Sequence, residues 1–284
     1  MRTSDGVYLA VVEFGGRGTP VLLLHGLMGR ATTWWPAVGW LSAHGRVVGV
    51  DARGHGRSQA AGPWSTERMA TDAAEVLEQL GGGPAIVVGH SMGGLHALAL
   101  AASRPDLVQA VVVEDMAVDL TGAPDGALAD ARAWFGAVPQ PFESLAQVRR
   151  TFGHPRPEFG DYMAECVEER ADGYHLLCRV HNAVAIAAEW TRQHHWDALA
   201  AVRAPVLLLA AAEGIVPRGQ SEKMIEALRG NRFGPYARLV TLPGTGHLVH
   251  ASAPDAFRAT VEGFLSTTAA LRNQACTRSG RLAA

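Results

Sequence analysis

The stretch Ala85-Ile86-Val87-Val88-Gly89-His90-Ser91-Met92-Gly93-Gly94 reads as a buried strand that runs straight into a helix, with a serine at the junction. A side chain at such a junction is forced outward only by a tight bend, so the positions two before and two after it must be small. Gly89 and Gly93 are, and Gly94 adds room. The Ser91 hydroxyl would then stand above the carboxyl edge of a sheet, where open α/β sheets take their ligands, facing the start of the helix at Met92. An oxyanion forming there would be stabilised by the backbone N–H of Met92, with a second donor expected from the loop after His25-Gly26, at Leu27. Removing one such donor typically costs about 3–4 kcal/mol of transition-state stabilisation.

Working outward, short β-branched and Leu-rich runs alternate with longer Ala/Leu-rich segments, the pattern of a parallel sheet with crossover helices. Strands are expected at 7–13, 21–24, 47–50, 85–88, 108–113, 206–209 and 237–242. Helices are expected at 66–80, 92–102, 220–228 and 254–265. The fold class is therefore α/β, a mostly parallel twisted sheet flanked by helices. The rhythm breaks between about Ala117 and His195, where five of the fifteen prolines and eight of the nineteen aromatics gather, so this segment looks inserted. The expected organisation is a core of residues 1–116 and 196–267, a helical insertion at 117–195, and a flexible C-terminal tail at 268–284.

At 284 residues, 48% apolar and 18% charged, the chain has enough material for a large core and is too apolar for a disordered protein. A net charge of −2 gives no basic excess, which argues against nucleic acid as a partner. Cys166, Cys178 and Cys276 lack metal-ligand spacing and are odd in number, so reduced thiols are expected. The N-terminus carries no apolar run after a basic start, and the apolar stretch 204–212 is about half the length of a membrane span. A cytoplasmic protein without membrane association is expected, with no metal and no cofactor. The sequence does not set the oligomeric state.

With the His25-Gly26 loop, the Asp51-Ala52-Arg53-Gly54-His55-Gly56-Arg57-Ser58 segment and the Gly89–Gly93 turn together, the chain resembles the α/β-hydrolase superfamily over about residues 7–265. The resemblance implies a serine nucleophile at Ser91 and makes the insertion the superfamily's variable cap. A serine hydroxyl needs a base, and histidine is the natural one. Of twelve histidines, His247, in the Gly-rich loop after the last strand, stands where the resemblance places the catalytic one. The imidazole in turn needs a carboxylate, and two satisfy the chain order. Asp115 ends the strand after the nucleophile and resembles relatives whose acid lies there. Glu213 stands four residues before Pro217, where many relatives carry aspartate. Asp115 is preferred for its shorter side chain, and both remain open. The Arg53–Gly56 turn is expected to be structural.

Candidate substrate contacts are Trp34, His25, His90, Trp134, Phe135 and His250, the first near the oxyanion loop and the last at the pocket mouth. His25 and His90 also read as scaffolding beside the oxyanion donors, and the cap aromatics also read as packing. Glu165, Glu168 and Glu169 read as a solvated helix face. The expected activity is hydrolysis of a small, apolar carboxylic ester or related acyl compound through an acyl-enzyme, a carboxylesterase in type. A lactone, a thioester or a carbon–carbon bond would use the same parts, and cofactor-free haloperoxidases share the pattern. A non-catalytic small-molecule receptor on the same scaffold is the reading from a different class.

Overall fold

The structure is a computed structural model that describes residues 1–81, 83–122, 132–133 and 136–282, with side chains through 274. Seven strands form one sheet: β1 (Val11–Gly15), β2 (Pro20–Leu24), β3 (Arg46–Val50), β4 (Ala85–His90), β5 (Val108–Glu114), β8 (Val206–Glu213) and β9 (Ala237–Gly246). Their order is β1-β3-β2-β4-β5-β8-β9. Only β1 pairs antiparallel, on the outer side of β3; every other neighbour pair is parallel. The order reverses around β2, β4 and β5, which puts the carboxyl ends of these central strands where an α/β sheet binds its ligand.

Alternation along the strands divides the core into two layers. Leu22, Leu24, Val87, Val111, Val113 and Leu208 pack with α2 (Thr66–Gln79), α3 (Met92–Ser103) and a later helix (Gln220–Gly230) on one face. Val21, Leu23, Ile86, Val88, Val112 and Leu207 pack on the other with α1 (Trp35–Leu41) and the C-terminal helix (Pro254–Leu282). Strands covered on both faces must be apolar, which is why residues 21–24 of β2, 85–88 of β4 and 110–113 of β5 are continuous apolar runs. α2 opens where Ser65 accepts the Arg68 N–H at 3.2 Å, an N-cap that holds one orphan donor.

Between β5 and the short helix Trp196–Ala201 the chain leaves the sheet. It forms α4 (Leu145–Phe152), α5 (Pro157–Ala164), a two-stranded hairpin of β6 (Val167–Arg170) and β7 (Gly173–Leu176), and α6 (Val180–Arg192). The expected helical insertion thus also carries a hairpin. Glu168 and Glu169 lie on β6, not on a helix; their spacing from Glu165 fits one helix face, but Gly173 at φ 133° turns the chain back on itself after two exposed residues. The segment has its own apolar cluster, in which Phe142, Phe152, Tyr162 and Met163 meet Met28 and Leu248 of the core. The expected flexible tail from residue 268 is helical as far as Leu282. Ala269, Ala270 and Leu271 are strong helix formers, and no glycine interrupts before Gly280. Among the described residues, no helix is long and apolar enough to cross a membrane.

Candidate active site

Ser91 sits between β4 and α3 with φ 51° and ψ −123°, a strained conformation for a residue with a side chain. The glycines around it have no space for anything larger. A Cβ on Gly89 would lie 2.2 Å from the Gly93 carbonyl oxygen, and one on Gly93 would lie 2.2 Å from the Leu24 carbonyl oxygen. The Ser91 N–H donates to the Glu114 carbonyl at 2.8 Å, tying the bend to the end of β5. Met92 opens α3, where the first N–H groups of a helix have no partner within it.

Asp115 follows β5 directly, with φ 46°. Its Oδ2 accepts the His247 Nδ1–H at 2.7 Å and the Ile215 N–H at 3.0 Å, while Oδ1 accepts the Ala211 N–H at 3.1 Å. Because the carboxylate only accepts, the ring proton is on Nδ1 and the other ring nitrogen is the free base. Two backbone N–H groups and a histidine thus hold a carboxylate that is fully buried. Gly214 completes the enclosure: a Cβ there would fall 2.2 Å from Oδ1 and 2.3 Å from Oδ2. His247 follows β9, which continues through Gly246, four residues beyond its expected end. The His247 carbonyl accepts a hydrogen bond from His90 Nε2 at 3.0 Å, and the two rings lie 4.5 Å apart, so His247 stands beside the residue preceding Ser91.

Glu213 is not brought to His247. Its side chain is two-thirds exposed and pairs with Arg156 at 2.5 Å. Trp34 is fully buried and stacks on His250 at 4.6 Å, so it forms no pocket wall. His250 is buried rather than at a pocket mouth, with its ring against Glu114 at 2.9 Å. Both follow from the helix Val249–Ser252, which turns His250 inward, three residues after His247. His25 has both ring nitrogens engaged by backbone: Nε2 accepts from Ala52 at 3.0 Å and Nδ1–H donates to Gly26 at 2.7 Å. Burial lowers its pKa to about 4, so the ring is neutral and holds the loop. Burial, and next the neighbouring His247, push the His90 ring well below the usual histidine range. Trp134 and Phe135 lie outside the described residues.

The loop after His25 is packed as tightly as the serine bend. A Cβ on Gly26 would meet His90 Nδ1 at 2.6 Å and Ser91 Cβ at 3.2 Å; one on Gly29 would meet the Tyr162 hydroxyl at 2.0 Å. Leu27 joins Met92, Met69, Ile186, Trp64 and Trp190 in a small apolar cluster, so α6 lies over the start of α3. The Asp51–Ser58 turn is structural. Asp51 accepts the Ala31 N–H at 2.7 Å and the Arg57 N–H at 2.8 Å, and Arg53 is fully buried in a fork with Asp72 at 2.6 and 2.7 Å. The side-chain role of Glu114 is not anticipated from the sequence, because the glutamate sits beside an aspartate that already has a role. Among the described residues, no group of three or more His, Cys, Asp or Glu side chains is placed to hold a metal ion. A cavity of about 720 Å³ opens on the far side of α6, lined by Arg132, Arg170 and Arg179 among others, and none of the residues at the Ser91 bend lines it.

Residues 21–260 match the profile of the alpha/beta hydrolase family. An sn-1-specific diacylglycerol lipase of Danio rerio is 29% identical over 283 residues, covering 93% of this chain and 84% of its own length. A 2-(acetamidomethylene)succinate hydrolase of Mesorhizobium japonicum is 29% identical over 262 residues, covering 88% and 89%. The crystal structure of an E-2-(acetamidomethylene)succinate hydrolase superposes with a TM-score of 0.81 at 26% identity, covering 94% of this chain and 98% of that one. A mostly parallel sheet, a serine in a strained strand-to-helix bend and a matching profile over most of the chain lead to one conclusion: this hydrolase belongs to the alpha/beta hydrolase family.

Proposed function

We propose that the protein hydrolyses a carboxylic ester or related acyl compound as a carboxylesterase, with Ser91 as nucleophile, His247 as base and Asp115 as the acid that orients it. The observation that carries this reading is the 2.7 Å contact of His247 Nδ1–H with Asp115, made beside the bend that strains Ser91 outward. Ser91 Oγ attacks the carbonyl carbon as His247 Nε2 takes its proton. The carbonyl oxygen, now an oxyanion, is received by the N–H groups of Leu27 and Met92. The proton passes to the leaving alkoxide, which departs as the alcohol and leaves an acyl-enzyme. Water, deprotonated by His247, then releases the carboxylic acid and restores Ser91.

Residues 117–195 act as a cap over this centre. Ile186 and Trp190 against Leu27 and Met92 support an apolar acyl group. The two relatives named above are called a diacylglycerol lipase and an acetamido-compound hydrolase, both acting by name on acyl compounds, which fits the reaction class. The test is a panel of p-nitrophenyl esters of graded chain length, with lactone and thioester arms, run on wild type and Ser91→Ala. Activity is expected to fall at least about 10⁴-fold in the variant. Retained activity would remove Ser91 from the mechanism. A fluorophosphonate that fails to label wild type would favour the receptor reading.

A further inference from the structure

Two acids stand side by side at the end of β5, and only Asp115 faces His247. Glu114 turns the other way into the core, where it and the ring of His250 are 0% and 1% exposed. Its Oε1 accepts the His250 backbone N–H at 2.8 Å, and both carboxylate oxygens lie 2.9 Å from His250 Nδ1. The carboxylate has no proton to give, so Nδ1 carries the hydrogen. Burial alone would push the Glu114 carboxyl up, but its hydrogen bonds from His250 and the nearby His90 outweigh it and leave the group below the usual carboxylate range. Trp34 stacks on one face of the His250 ring, with the ring centroids 4.6 Å apart.

Glu114 also has a backbone role, since its carbonyl accepts the Ser91 N–H. One residue therefore grips the nucleophile's bend through its main chain and the base's loop through its side chain. His90 lies between the two imidazoles, its ring centroid 4.5 Å from His247 and 5.5 Å from His250.

We propose that Glu114 and His250 form a second acid–imidazole pair that positions His247. It anchors the loop carrying the base and sets a second negative charge behind the imidazolium formed during turnover. The proposal rests on the assignment of Ser91, His247 and Asp115 given above. The groups facing this region are Asp115 from β5, His90 and Ser91 from the β4 bend, Tyr162 from α5, and Arg156, which is packed against Gly246 and paired with Glu213. Removing the Glu114 charge leaves Asp115 as the carboxylate against His247 and an Arg156 already paired with Glu213. The protonated imidazole then becomes less favoured.

The test is Glu114→Gln, which keeps the shape and removes the charge. We expect kcat on a p-nitrophenyl ester to drop about 10- to 100-fold with KM within about twofold. The acidic limb of the kcat/KM profile should move to lower pH by roughly half a unit to one unit. A purely structural pair would lower the melting temperature without moving that limb. His250→Asn, whose side-chain amide can donate to the same carboxylate, should recover most of the kcat that His250→Leu loses. A folded Glu114→Gln with wild-type kcat and an unmoved limb overturns the proposal. If that variant does not fold, equal kcat in His250→Asn and His250→Leu overturns it instead. Fluorophosphonate labelling of wild type keeps the two levels apart: no label at Ser91 defeats the underlying assignment, whereas a labelled wild type with an unaffected Glu114→Gln defeats only the second pair.

Discussion

Replacing Asp115 by asparagine asks which of the two acids works with His247. The carboxylate accepts three hydrogen bonds, from Ala211 at 3.1 Å, Ile215 at 3.0 Å and His247 at 2.7 Å, and an amide cannot accept all three. With its NH2 toward Ala211, two donors face each other in a buried site, at a cost of about 1–3 kcal/mol for the unmade bond. With its NH2 toward Ile215 and His247, the imidazole must move its proton to Nε2, the nitrogen that has to receive the serine proton. The base is then disabled rather than weakened. By analogy with other triads the loss in kcat is about 10⁴-fold, equivalent to about 5.4 kcal/mol. Glu213→Gln provides the contrast. It breaks an exposed pair with Arg156 worth about 0–1 kcal/mol, and activity should stay within about threefold. The assay is steady-state hydrolysis of p-nitrophenyl acetate, with fluorophosphonate labelling rate as a second measure and circular dichroism to verify folding. A folded Asp115→Asn within tenfold of wild type, or a Glu213→Gln that loses more than Asp115→Asn, would refute the reasoning.

Gly214→Ala should act on Asp115 alone, because the new Cβ falls 2.2 Å from Oδ1 while no unusual φ is required. Displacing the carboxylate by about 1 Å should cost on the order of 10²-fold in kcat, with KM little changed, and a crystal structure of the variant would show whether the carboxylate has moved. Stability should decline in acid. His25, His55 and His96 are held neutral by burial at about 4, 3 and 3, all below the ordinary value of 6.5. The unfolded chain therefore binds their protons first, and stability is lost as pH falls from 6.5 toward the folded values, by about 2 kcal/mol per ring at pH 5. Urea midpoints measured at pH 7.5 and pH 5 should differ accordingly; an unchanged midpoint would contradict the buried neutral rings. Arg53→Met should destabilise by about 1–3 kcal/mol, since Asp72 loses its buried fork but keeps Arg68, and thermal melts compared with an exposed control such as Arg170→Met would reveal it.

The parts legible in the sequence are those with local rules. The serine bend announces itself because it needs small residues on both sides of the serine within five positions, and the strands because both sheet faces must be apolar. Asp115 was narrowed to one of two, since chain order admits either acid and only three-dimensional packing turns Glu213 toward Arg156. His250 and Trp34 were misplaced for a related reason: a histidine or tryptophan near a catalytic loop looks the same in sequence whether it faces solvent or stacks in the core. The β6–β7 hairpin was hidden by its charge, because a two-stranded ribbon with one exposed face needs little apolar patterning. The C-terminal helix ran on past the expected end because composition there was weighed as loss of periodicity, while its intrinsic helix propensity remained high.

The end of β8 and the bend after it contribute no side chain to the carboxylate they surround, only main chain. They offer two peptide N–H groups, from Ala211 and Ile215, and a missing methyl at Gly214. Ile215 itself faces solvent. This stretch is therefore constrained in its trace and free in its lettering: residue 215 can vary widely in kind, while a one-residue insertion or deletion there would leave the acid unheld.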